Sequence, residues 1–77
     1  MTFHRNDRVI IREYYGPAAL PGQRGIVRAT KEIGPDRFVY AVEFEDKHPG
    51  RSDCEQSCAA GRGLWLPARV LEQEPGR

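Results

Sequence analysis

Apolar and polar residues alternate along short stretches of this chain, and no stretch sustains the 3.6-residue apolar repeat of an amphipathic helix. In "DRVIIRE" Val9 and Ile11 share one face while Arg8, Ile10 and Arg12 share the other, which predicts a half-buried first strand. "YYGPAALPGQRG" follows with two Pro and three Gly, too many φ-fixing and φ-free residues for a helix or central strand, and predicts a long loop closing on Gly25. "GIVRATKEI" resumes the strand pattern, and "GPDR" supplies a turn with Pro35 presetting φ and Asp36 able to bond the backbone nearby. The alternation is strictest in "FVYAVEFED": Tyr40, Val42 and Phe44 point one way, and Ala41, Glu43 and Glu45 the other. "GLWLP" reads as a short strand stopped by Pro67, and "ARVLE" as one 3₁₀ turn leading to a last strand around Leu71.

Five short strands separated by turn signals predict an all-β fold, a small five-stranded antiparallel barrel in which closure removes exposed edges. A long first loop, a tight hairpin, a second long loop and a 3₁₀ turn before the final strand are the order of an SH3-like barrel. The whole chain, 1–77, then forms one domain with its core in 5–72, a Cys-containing loop insert over 47–63 and a polar tail over 73–77. With Pro49, three Gly and few apolar residues, the insert is expected to be a mobile loop on a barrel that folds without it.

Composition narrows the function classes. Apolar residues make up 39% of the chain and charged residues 30%, a globular balance, and no apolar run approaches the length of a membrane span. "MTFHRNDRV" lacks the apolar core of a secretory signal, so a cytoplasmic location with reduced thiols is expected. The net charge is only +1, yet residues 1–31 hold six basic side chains against two acidic ones. A basic face of that kind raises nucleic-acid binding as an alternative function, although a dedicated binder carries a larger basic excess.

The chain's two cysteines, Cys54 and Cys58, stand in a C-x₃-C spacing inside the insert. Three readings are open: free thiols facing solvent, a short-range disulfide or redox pair with Arg51 and Arg62 close in sequence, or a zinc site completed by His48 and His4. The first, which needs no cofactor, is the expectation. Trp65, with Tyr14, Tyr15 and Tyr40, could line an aromatic groove, and inward-facing Leu64 and Leu66 would turn Trp65 outward as an interface anchor. Glu43 and Glu45 read as solvated charge on the outer face, and no residue set forms an enzyme constellation.

"NDRVIIRE", "LPGQRGIVRA", "FVYAVEFED" and "GLWLPARVLE" together resemble the SH3-like barrels of electron-transport accessory proteins, nearest to the C-terminal domain of the nitrile hydratase β subunit. The matching residues are Asp7, Arg8 and Val9, then Arg24, Gly25 and Val27, then Tyr40, Val42 and Phe44, and last Trp65, Leu71 and Glu72. "YYGPAALPG" replaces the family's His-Thr-Arg loop, and the Cys-bearing insert has no counterpart there. The resemblance implies a non-catalytic accessory module that docks on a larger protein subunit, nitrile hydratase α-like, in which the metal belongs to the partner. Tyr14, Tyr15, Trp65, Arg24 and Arg28 are the candidate partner-binding residues.

Overall fold

A computed structural model describes residues 3–74. The elements run β1 (Arg8–Ile11), β2 (Arg24–Gly34), β3 (Arg37–Phe44), β4 (Gly63–Pro67), a 3₁₀ turn (Ala68–Val70) and β5 (Leu71–Gln73). The strands form a single antiparallel sheet in the order β4-β3-β2-β1-β5. The protein is therefore all-β, with the expected hairpin and 3₁₀ turn. Among the described residues the outer strands β4 and β5 share no ladder; the 3₁₀ turn joins them along the chain.

Local chemistry accounts for the strand ends. Gly34 pairs with Arg37 across a two-residue turn in which Pro35 is followed by Asp36 at φ 57°, a left-handed value that Asp tolerates better than most residues. Gly25 is required by close approach, because a Cβ there would stand 2.5 Å from Val42 Cγ1 and 2.9 Å from the Glu43 carbonyl oxygen. The long first loop is closed at its base by two backbone bonds, Ile11 N–H to the Gln23 oxygen and Gly22 N–H to the Ile11 oxygen.

The main core gathers the faces that alternation grouped, Val9 with Ile11, Tyr40 with Val42 and Phe44, and Leu66, and adds Val27, Val70 and Leu71. Each fully buried aliphatic side chain contributes about 1.5–3 kcal/mol by leaving water. Phe3 is buried as well, ahead of the expected start of the core, and packs edge-on against Tyr40 with ring centroids 5.4 Å apart. Tyr40 is thus a core residue and takes no part in an outward aromatic groove.

One irregularity decides what lies on the sheet's other face. Val27 pairs with Val42, but Ala29 pairs with Ala41, so Arg28 is an extra residue in a bulge. Strict alternation would leave Val27, Ala29 and Lys31 on one face; the bulge keeps Val27 in the core and sends Ala29 to the outside. Ala29, Ala41 and Trp65 then form one row across β2, β3 and β4, with Glu43 opposite Gly63 beside it.

Candidate functional site

The row of small residues on the outer face is covered by the insert. Cys54 and Cys58 pack on Ala41, Ala29 and Trp65 as a second, smaller apolar cluster, and retain only 1% and 8% exposure. Gly63 leaves the space they occupy: a Cβ at that position would lie 2.8 Å from each Sγ. The expected solvent-facing thiols are therefore corrected to buried ones. Both are free, and their sulfurs lie side by side over the Gly63 Cα.

Burial pushes the Cys54 thiol pKa up, and pushes that of Cys58 up to about 12, because the thiolate would lose its water. Neither thiol is poised as a nucleophile at neutral pH. His48 stays within its own loop, its Nδ1 accepting the Gly50 N–H at 3.1 Å, and His4 lies beside Asp7. Among the described residues no three His, Cys, Asp or Glu side chains come together as a metal site, so the zinc set of Cys54, Cys58, His48 and His4 is not assembled.

The insert is also fastened at its edges. Glu43 accepts the Arg28 Nε–H at 2.8 Å and the Ala59 backbone N–H at 2.7 Å, and these two donors, the Ala59 bond foremost, hold its carboxyl below the usual range. The expectation that Glu43 is merely solvated is corrected accordingly. On the other side Lys31 reaches Glu55 at 3.2 Å and sits 4.3 Å from the Trp65 ring centre. Trp65 faces outward and Leu66 inward, as expected, but the Trp65 ring is occupied by the insert and by Lys31.

Arg51 is the second anchor. Its side chain is 8% exposed; Nε and Nη2 donate to the Ala18 carbonyl at 3.2 and 3.0 Å, Nη1 to the Asp46 carbonyl at 2.7 Å, and the guanidinium stacks 4.1 Å from the Phe44 ring centre. Because Ala18 belongs to the first long loop, this one side chain ties the two long loops together. The insert is thus a packed element rather than a free loop.

The five candidate partner-binding residues fall in three separate places. Arg28 is held by Glu43, and Trp65 lies under the insert. Arg24 is exposed and faces Glu74 at 3.8 Å, on a cleft of about 520 Å³ that Arg8 and Arg62 also line. Tyr14 and Tyr15 are exposed at 62% and 43% in the first loop. That loop is not slack: Tyr15 N–H bonds to the Ala19 oxygen, Ala19 N–H to the Gly16 oxygen, and Ala18 and Ala19 are buried beneath it.

Sequence reading did not single out Arg69, which adjoins Tyr15, or Ile33 and Phe38 beyond it. The Arg69 guanidinium, on the 3₁₀ turn, stands 5.5 Å from the Tyr15 ring centre and bonds to Glu13. Arg69 also lines a second groove of about 520 Å³, together with Ile33 and Phe38, which are exposed at 54% and 45%. The outcome is a strip from Tyr14 and Tyr15 across Arg69 to Phe38 and Ile33, with Asp36 and Arg37 also lining its groove. Its sequence signal was faint: Ile33 and Phe38 flank a turn, where large apolar residues have no sheet to cover them.

No protein-family model matches the chain, and comparison with curated proteins and with solved structures gives no match either.

Proposed function

We propose that this chain is a non-catalytic protein-interaction module that docks on a larger protein subunit through the strip formed by Tyr14, Tyr15, Arg69, Phe38 and Ile33. The observation that carries the reading is the exposure of four large apolar side chains, two on the hydrogen-bonded first loop and two on the β2–β3 hairpin, on either side of Arg69. Aromatic and Arg residues of this kind are enriched where interfaces form, and rigid backbone lowers the entropy that docking must overcome. A nitrile hydratase α-like subunit is the first partner to test, as the resemblance in the strand motifs implies.

The basic N-terminal third lends less support to nucleic-acid binding than its composition alone does. Arg12, Arg24, Arg28 and Lys31 each face a carboxylate within 4.0 Å, which leaves a reduced excess for phosphates.

The test is a native pull-down with identification of the retained protein, followed by titration of that purified protein against the chain and its variants. Tyr14→Ala with Tyr15→Ala, and Phe38→Ala alone, should each weaken capture by at least tenfold while stability changes by about 0.5 kcal/mol or less, as for exposed sites. Retention of the partner by all variants, or no partner at all, refutes the proposal. Binding of oligonucleotide with a steep salt dependence replaces it with the alternative.

A further inference from the structure

We propose that Cys54 and Cys58 are a disulfide-forming pair, closed by a two-electron oxidant of the hydroperoxide class across the strained turn that separates them. This inference is independent of the docking strip. It rests on three observations about the same five residues.

The sulfurs are already neighbours. Each Sγ lies 2.8 Å from the one position a Gly63 Cβ would take, so the two are separated by no more than twice that distance. The backbone has the matching reach: Ser57 N–H bonds to the Cys54 oxygen at 3.1 Å and Cys58 N–H to the Asp53 oxygen at 2.9 Å, winding 54–58 into one closed turn. One turn of chain sets its ends about 5–6 Å apart, inside the roughly 4.4–6.8 Å between Cα atoms that a disulfide accepts.

The third observation is strain. Cys54, Glu55 and Gln56 have φ of 48°, 58° and 74°, three consecutive non-Gly residues in the left-handed region. Such residues persist only where their surroundings hold them. Here the strain begins at one cysteine and is closed off by the other, so a covalent link between the two would hold the turn at both ends. Ala29 and Ala41, which pack against the pair, carry no polar side-chain atom that the link would displace.

The chemistry balances as follows. Cys58, the more exposed of the two, attacks the hydroperoxide as its thiolate; the O–O bond breaks, the alcohol or water leaves with the thiol's proton, and Cys58 becomes a sulfenic acid. The Cys54 thiolate then attacks the Cys58 sulfur, the S–O bond breaks, and water departs with the second proton. Both sulfurs are oxidised by one electron each, and the hydroperoxide accepts two. Because burial disfavours both thiolates, the reaction is slow at neutral pH, and the reduced pair is guarded kinetically.

The full reduced chain treated with hydrogen peroxide should lose about 2 Da as a monomer, and an unreduced digest should contain the cross-linked peptide carrying Cys54 and Cys58. The rate should rise close to tenfold per pH unit between about pH 7 and 9, as the thiolate fraction does. Trp65, packed on the pair, should report closure by a change in fluorescence with the same rate. Cys54→Ser should halt at an oxidised Cys58 with a gain in mass. Should that variant not fold, equilibration of the unaltered chain with reduced and oxidised glutathione serves instead: the closed monomer must appear at the oxidising end. Two free thiols remaining there, or only intermolecular dimers and glutathione adducts, overturns the proposal.

Discussion

Arg51→Ala tests whether the insert is a packed element. The guanidinium satisfies the Ala18 and Asp46 carbonyls and lies on the Phe44 ring, with a longer bond to Gln23 Oε1 at 3.3 Å. Truncation leaves two carbonyls without their donor, at about 1–3 kcal/mol for each buried group left unpaired. Loss of the ring contact removes roughly 0.5–2 kcal/mol more. Against this stands the cation's own desolvation, which the variant no longer suffers, so the net loss is about 3 kcal/mol. A chain of this length holds roughly 4–12 kcal/mol in all, at about 0.05–0.15 kcal/mol per residue, so the loss is a large fraction of the whole. The midpoint of thermal unfolding should fall by about 12–24 °C. Urea melts followed by Trp65 fluorescence and by far-ultraviolet circular dichroism measure it, with Arg51→Lys falling between the two because an ammonium cannot fork to two carbonyls. A loss under about 1 kcal/mol with an unchanged urea slope is the surface-site result. It would mean that the two loops are not joined through Arg51 and that the insert is dispensable.

Other perturbations probe the same arrangement. Stability should fall as pH rises above the ordinary thiol pKa of about 8.5, because the unfolded chain releases protons that Cys54 and Cys58 retain when folded, until Cys58 itself ionises near 12. A Cys58→Ala chain should show a shallower alkaline decline in melts taken between these limits. The Glu43 carboxyl is shifted the opposite way, so its contribution is complete above the ordinary carboxylate pKa and is lost as pH falls through the lowered value. Glu43→Gln should therefore flatten the acid limb of the stability profile and cost about 1 kcal/mol at neutral pH, the scale of one charge-assisted bond in a partly exposed setting. Gly25→Ala should cost at least about 1–3 kcal/mol by driving a methyl into Val42 and the Glu43 carbonyl, and an unchanged urea midpoint would contradict that packing.

The strands were legible because alternation has a direct physical cause: in an extended chain successive side chains face opposite sides, so a sheet with one buried face must alternate. Val9, Ile11, Val42, Phe44 and Leu66 went inward where that period places them. The turn at Pro35 and Asp36 and the 3₁₀ turn after Pro67 were equally local, set by the φ of Pro and the tolerance of Asp for left-handed backbone. The bulge at Arg28 was not legible, since nothing in "GIVRATKEI" marks where one extra residue enters a ladder. Without it Ala29 belongs to the inner face, and the row of Ala29, Ala41 and Trp65 cannot be assembled on paper.

The insert shows the same division. Its composition, with Pro, Gly and charge, keeps it out of the strands up to Gly63, where β4 begins, and in isolation it has too little apolar surface to pack on itself. Its place was decided by partners distant along the chain: the carbonyl of Ala18 for Arg51, the carboxylate of Glu43 for Ala59, and the bare Cα of Gly63 for the two sulfurs. Small residues at 41 and 63 were the one hint, because an outer face that bears Ala and Gly among charged neighbours leaves room for something to sit there. Periodicity reports which residues share a face, whereas cover for the outer face depends on long-range contacts that only the folded sheet brings within reach. The buried thiols and the strip of exposed rings are both products of that assembly.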